Sequence, residues 1–122
     1  MERRMPKNDD RTAEPGALTV SARPWVGGTV LALHGELDID SVDLLRTALD
    51  SALVTAGTTV VIDCGDLEFC DSTGLNAMLR ARTVADAGGS RIELARPRPL
   101  VLRMLELTGA GDAFRIRDEP PA

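Results

Sequence analysis

Few residues of this chain have side chains equipped for chemistry. Ser72 stands in the run Asp71-Ser72-Thr73-Gly74, the thiols of Cys64 and Cys70 precede it, Asp38 closes Gly35-Glu36-Leu37-Asp38, and His34 is the single histidine. An apolar strand, Val60 to Asp63, leads toward a helix whose first residue is Ser72. A hydroxyl there faces unpaired N–H groups and about half a positive charge, a setting that favours an anionic oxygen such as phosphate. The ordinary alternative is that Ser72 or Asp71 simply caps the helix. Gly74 leaves the first turn bare, so a partner could approach closely. Thr73 offers a second hydroxyl, expected to point away from Ser72 and support the turn.

Other chemistries find no footing. A serine hydrolase needs a base, yet His34 falls inside a strand and no Gly-x-Ser-x-Gly elbow surrounds Ser72. The phosphate-cradling Gly-x-x-x-x-Gly-Lys loop is missing too, so any ATP is expected to belong to a partner and the chain is read as no enzyme, with no cofactor. Cys64 and Cys70 lie six apart, which suits neither a redox CxxC pair nor half of a zinc site. Reduced, largely buried thiols and no metal are the expectation.

The chain has 122 residues, 43% of them hydrophobic, enough for one core and one domain. Its formal net charge of -5 gives no footprint for a phosphate backbone or an anionic membrane, so neither nucleic acid nor membrane is expected as a direct partner. The first residues lack the apolar run of a signal peptide and nothing approaches a membrane span, which points to the cytoplasm. Residues 1–17 are dense in charge and poor in anything to bury, so a disordered arm is expected there, with the folded unit over 18–117 and a flexible tail over 118–122.

The elements that must position Ser72 follow from periodicity and turn residues. Leu18 to Val26 and Thr29 to His34 are β-rich runs joined by Gly27-Gly28, and predict an antiparallel hairpin. Ser41 to Val54 places Leu45, Ala48, Leu49, Ala52 and Leu53 on one helical stripe, with Asp40 or Ser41 as N-cap. Thr59 to Asp63 reads as a strand buried on both faces, followed by a loop to Asp71. A helix from Ser72 to Ala87 stops at Gly88-Gly89, Arg91 to Ala95 is a strand, Pro99 to Thr108 a helix, and Phe114 to Ile116 a last short strand. This order predicts an α/β domain: a mixed, mostly parallel sheet with an N-terminal antiparallel hairpin and covering helices.

In such a sheet the second and third strands deliver their C-terminal ends to one rim, so Asp38 and Ser72 can share a site. Asp38 and Asp40 can equally serve a turn and the cap of the first helix. Along the helix from Ser72, the small-residue face Gly74, Ala77, Met78, Ala81, Val84 and Ala85 suits close packing on the sheet. Leu75 and Leu79 form a separate ridge continuing into Arg82 and Asp86, which reads either as a partner-docking strip or as packing against the first helix.

Four segments in register then resemble the STAS-domain anti-sigma-factor antagonists: Gly35-Glu36-Leu37-Asp38, Val60-Val61-Ile62-Asp63, Asp71-Ser72-Thr73-Gly74-Leu75 and Leu105-Glu106-Leu107-Thr108-Gly109. Ala110 stands where a larger apolar residue often follows the Thr-Gly of that family. The resemblance implies that Ser72 is the phosphoacceptor of a serine kinase that is itself the anti-sigma factor, with Asp38, Asp71, Thr73 and Gly74 supporting the site and Leu75, Leu79 and Arg82 meeting the partner. Unphosphorylated protein would hold that kinase and free a sigma factor; phosphorylation would release it, and a serine phosphatase would reset the switch. The rival within the same family is a non-switching scaffold, or a subunit of a larger signalling or transport assembly.

Overall fold

The computed structural model describes residues 16–122, so the arm expected over 1–17 falls almost wholly outside the described residues. Strand β1 (Thr19–Trp25) turns back at Val26 and Gly27 into β2 (Gly28–Leu37), and Trp25 pairs with Gly28. The hairpin is antiparallel as expected, but its turn lies one residue earlier than the Gly27-Gly28 reading. Gly28 is already in the ladder, at φ +153, and a Cβ there would sit 2.3 Å from the Thr59 carbonyl oxygen.

Helix α1 (Val42–Ala52), strand β3 (Thr59–Cys70), helix α2 (Ser72–Ala87), strand β4 (Arg91–Ala95), helix α3 (Pro99–Leu107) and strand β5 (Arg115–Arg117) complete the domain. The sheet order is β1-β2-β3-β4-β5, with every pair after the hairpin parallel. Each helix therefore connects neighbouring strands, always stepping the same way across the sheet. Right-handed crossovers that step in one direction place their helices on one face. The core shows this outcome: Val42, Leu45 and Leu49 of α1, Met78 and Ala85 of α2, and Leu105 of α3 pack with Leu31, Leu33, Ile62 and Leu94 of the sheet in one cluster.

The opposite face is closed without a helix. Val30, Val61 and Ala95 form a small second cluster with Trp25 packed on it. Arg117 lies over the Trp25 ring at 5.3 Å and pairs through Nε with Glu93 Oε1 at 2.6 Å, while Arg115 reaches the other Glu93 oxygen at 3.8 Å. Glu93 is 2% exposed, and this pairing supplies the partners a buried carboxylate requires. Asp63, also buried, is clasped by Arg96 Nε and Nη2 at 3.0 and 2.9 Å. Arg23 of β1 donates to the Pro121 carbonyl, so residues beyond β5 touch the first strand.

The third strand departs most from expectation. Its first half, Val60 to Ile62, is fully buried as predicted, but pairing continues through the segment read as a loop, matching His34 with Asp66, Gly35 with Leu67, Glu36 with Phe69 and Leu37 with Cys70. Gly65 and Asp66 look locally like loop residues; register shifts at Ala32/His34 and Gly35/Glu36 let β2 stay alongside them. The extension carries the two strands together to the rim where α2 begins.

Both thiols are free and buried. Burial pushes Cys64 from an ordinary value of 9.0 up to about 12, with Cys70 and Asp63 adding to it, and burial beside Asp71 lifts Cys70 to about 12. The fold thus favours the neutral thiols: their stabilising effect is complete below pH 9 and is lost as pH rises toward 12. With no tyrosine and Lys7 as the one lysine, little else titrates in that window. The urea midpoint is expected to fall steadily between pH 9 and 11, and a Cys64→Ala/Cys70→Ala variant should flatten that slope; an unchanged slope would refute the assignment.

Candidate functional site

The rim at the C-terminal ends of β2 and β3 is built by two short connections, residues 38–41 before α1 and Asp71 before α2. Asp71 N–H donates to the Leu37 carbonyl at 3.1 Å, tying the entry of α2 to the end of β2. Asp71, extended at φ -94 and ψ -177, is the N-cap: its Oδ1 accepts from Gly74 N–H at 2.9 Å, and its carbonyl accepts from Leu75 N–H at 3.0 Å. Gly74 is pressed against β2, since a Cβ there would meet Leu37 Cγ at 2.5 Å and Cys70 Sγ at 3.2 Å.

Asp71 therefore takes the capping role, and Ser72 is left as the first helical residue with an exposed side chain. Among the described residues its hydroxyl makes no hydrogen bond, and neither its own N–H nor that of Thr73 meets an acceptor. Two unpaired donors and the positive end of a 16-residue helix thus surround an exposed hydroxyl. Thr73 is half-buried, and its hydroxyl likewise bonds to no described residue.

Asp38 follows Leu37 and so comes to the same rim as Ser72, as the strand order implies. Its carboxylate turns to its own chain, however: Oδ1 accepts from Asp40 N–H at 3.0 Å, Ser41 N–H at 3.1 Å and Ser41 Oγ at 3.1 Å. Ser41 occupies the N-cap position of α1 without a capping bond of its own, while its Oγ accepts from Asp38 N–H at 3.0 Å. Asp38 thereby fixes the β2–α1 turn, and among the described residues no hydrogen bond joins it to Ser72.

The packing of α2 corrects several expectations. Leu75 is 1% exposed and belongs to the core, so it cannot form a surface ridge. Leu79 is half-buried and packs on the same cluster, and Arg82 is half-buried with Nε 3.7 Å from Asp86. Gly74 is required by its contact with Leu37 rather than by the approach of a partner. Val84, expected on the inner face, is 65% exposed. Val84 instead lines the open groove between α2 and α1, together with Ala77, Ala81, Leu49 and Leu53.

The sequence reading missed the apolar side chains that this rim exposes: Ile39, Phe69 and Leu100. Ile39 carried a signal, an isoleucine between two aspartates in a turn with nothing to bury it. Among the described residues no group of three or more His, Cys, Asp or Glu could hold a metal ion, and no helix is long and apolar enough to cross a membrane.

A five-stranded mixed sheet covered by helices on one face, with a capped helix presenting a serine at the strand ends, defines an α/β domain of the STAS type. Residues 24–117 match the family model described as "Mlab, STAS domain", and the chain belongs to the STAS-domain family. It is 29% identical over 93 residues to an anti-sigma F factor antagonist of Paenibacillus polymyxa, covering 75% of this chain and 80% of the relative. It is 28% identical over 103 residues to the anti-sigma-F factor antagonist RsfB of Mycobacterium tuberculosis, covering 84% and 83%. In structure it resembles the anti-sigma factor antagonist SpoIIAA in its unphosphorylated form, with TM-score 0.70 and 24% identity over 83% of this chain and 90% of that one.

The packing of the helix entry yields a pair of expectations. Gly74→Ala forces a methyl into Leu37 and should cost about 1–3 kcal/mol, while Leu75→Ala should cost about 2–5 kcal/mol by opening a core cavity. Both are read from urea denaturation; a Leu75→Ala variant as stable as the parent would contradict its placement in the core.

Proposed function

We propose that this chain is an anti-sigma-factor antagonist, switched by phosphorylation of Ser72. Unphosphorylated, it binds an anti-sigma factor that is also a serine kinase, and so frees a sigma factor in the cytoplasm. Phosphorylated, it releases that kinase, and a serine phosphatase restores the hydroxyl. The observation that carries the reading is the division of labour at α2: Asp71 caps the helix, so Ser72 Oγ stays exposed and bonds to no described residue. The curated relatives, both antagonists of anti-sigma F factors, point the same way.

In the transfer, Ser72 Oγ attacks the γ-phosphorus of ATP held by the partner. An Oγ–P bond forms, the bond from phosphorus to the β–γ bridging oxygen breaks, ADP leaves, and the hydroxyl proton passes to a base on the partner. This chain supplies the acceptor and performs no catalysis. The unpaired N–H groups of Ser72 and Thr73 accommodate the phosphate within the domain, so refolding is not required. The roughly 1.5 to 2 added negative charges lie beside Asp71 and on the rim shared with Asp38. Release follows because docking must strip water from that charge and bring it toward the partner's nucleotide phosphates.

Incubation with ATP and the purified anti-sigma factor, followed by mass spectrometry, should place one phosphate on Ser72 and none on Ser72→Ala. Normal phosphate uptake by Ser72→Ala would sink the assignment. Ser72→Asp should weaken partner binding at least tenfold with an unchanged circular dichroism spectrum, whereas Ser72→Ala keeps binding; equal affinities would remove the charge switch.

A further inference from the structure

Two arginines stand where local rules call for other residues. Arg96, which follows β4, has φ 51, in the left-handed region that glycine and asparagine normally fill. Arg98 takes the N-cap position of α3, favoured by Ser, Thr, Asp and Asn, and its side chain makes no capping bond. Residues that break a local preference without a local gain point to a role elsewhere. Both side chains converge on Gly65. We propose that Arg96 and Arg98 are positioning residues for Ser72: they clamp β3 at Gly65 and set the register in which that strand delivers the serine to the rim. This rests on the proposed function and adds to it the groups that aim the acceptor.

The need for a clamp arises where β4 ends. Its last pairs join Leu94 to Ile62 and Ala95 to Asp63, so residues 64–70 of β3 keep β2 as their one strand neighbour. That ladder is interrupted by the register shifts at Ala32/His34 and Gly35/Glu36. A stretch bearing Gly65, Asp66 and Glu68 on a single interrupted ladder fixes its own register weakly. A slip of one residue would carry Ser72 about 3.3 Å. Misplacing a reacting group by about 1 Å can cost about a hundredfold in rate.

Gly65 is held from three sides. Its N–H donates to Asp63 Oδ1 at 3.0 Å, and the same carboxylate is forked by Arg96 through Nε at 3.0 Å and Nη2 at 2.9 Å. Its carbonyl accepts from Arg98 Nε at 3.2 Å and Nη2 at 3.0 Å. The Arg96 guanidinium covers its Cα, where a Cβ would stand 2.5 Å from Cζ. Arg96 is anchored in turn, its N–H donating to the Arg117 carbonyl at 2.9 Å. The two arginines thus do for the end of β3 what β4 does for its start. The paired strand and the Asp71 cap then carry the constraint from Gly65 to Ser72.

The test is single-turnover phosphorylation of the full chain by the purified anti-sigma factor kinase in excess, with ATP. Arg96→Gly removes the fork and relieves the left-handed backbone, Gly65→Ala pushes the guanidinium aside with one methyl, and Arg98→Ala frees the carbonyl. Each should lower the saturating rate at least tenfold and leave the half-saturating kinase concentration within threefold of the parent, because docking is kept while the hydroxyl is misaimed. Arg98→Lys, which can still donate to the carbonyl, should restore part of the rate. Gly65→Ala removes no charge, so it decides the matter even if Arg96→Gly, which leaves Asp63 unpaired, fails to fold. Saturating rates within twofold of the parent for Gly65→Ala and Arg98→Ala, or a change in half-saturation alone, would overturn the assignment even if both variants melt at lower urea. A parent chain that takes no phosphate strikes the functional reading instead, and hydrogen exchange then judges the clamp: Arg98→Ala should speed exchange over 66–70 and not over 60–62, and equal rates would overturn it.

Discussion

The placement of the serine depends on how closely the first turn of α2 rests on the end of β2. Gly74 lies where any side chain would collide with Leu37, so helix and strand meet backbone to side chain with nothing between them. Around that contact, Asp71 ties its N–H to Leu37 and its carboxylate to Gly74. Ser72 is thus held by its neighbours without being used by them, leaving its own hydroxyl and N–H groups for something outside the domain. Moving the helix along its axis would break the contacts of Asp71 and Gly74 with Leu37 together.

Elements with strong local periodicity were readable from sequence. The α2 boundaries, Ser72 to Ala87, and the β4 strand, Arg91 to Ala95, agree residue for residue, because a capping aspartate, a Gly-Gly stop and a short apolar run are all local signals. The second half of β3 was not readable. Gly65, Asp66 and Glu68 have weak strand preferences; β3 carries an extra residue at each of two register shifts, and the segment stays strand because Asp66, Leu67, Phe69 and Cys70 still find His34, Gly35, Glu36 and Leu37 beside them. The juxtaposition of Asp38 and Ser72 was half legible: their arrival at one rim follows from topology, whereas the rotation of Asp38 toward Ser41 depends on turn geometry that spacing does not encode. Leu75 was misassigned for a similar reason. The buried arc of α2 runs from Ala77 through Gly74, Met78 and Ala85 to Leu75, and its width is set by tertiary packing that the sequence of α2 alone does not state.

A buried glutamate also escaped sequence analysis. Arg91-Ile92-Glu93-Leu94-Ala95 reads as a strand with one polar interruption, yet Glu93 anchors the face that no helix covers. One-directional crossovers commit all three helices to one side, so the other side has to be sealed by what the strands themselves carry. Here that seal is polar at its border and apolar beneath, with Arg117 and Trp25 over Val30, Val61 and Ala95.

Trp25 is the only tryptophan, and its ring is held by a residue of β5, ninety-two positions further on by number. The first and last strands of the sheet are therefore stapled through the chain's sole strong fluorophore, on the side away from the helices. Its emission registers whether the sheet is closed from edge to edge, a non-local event late in sequence separation. The rim that carries Ser72 lies at the other end of β2, so this optical signal follows the integrity of the scaffold and not the surroundings of the serine.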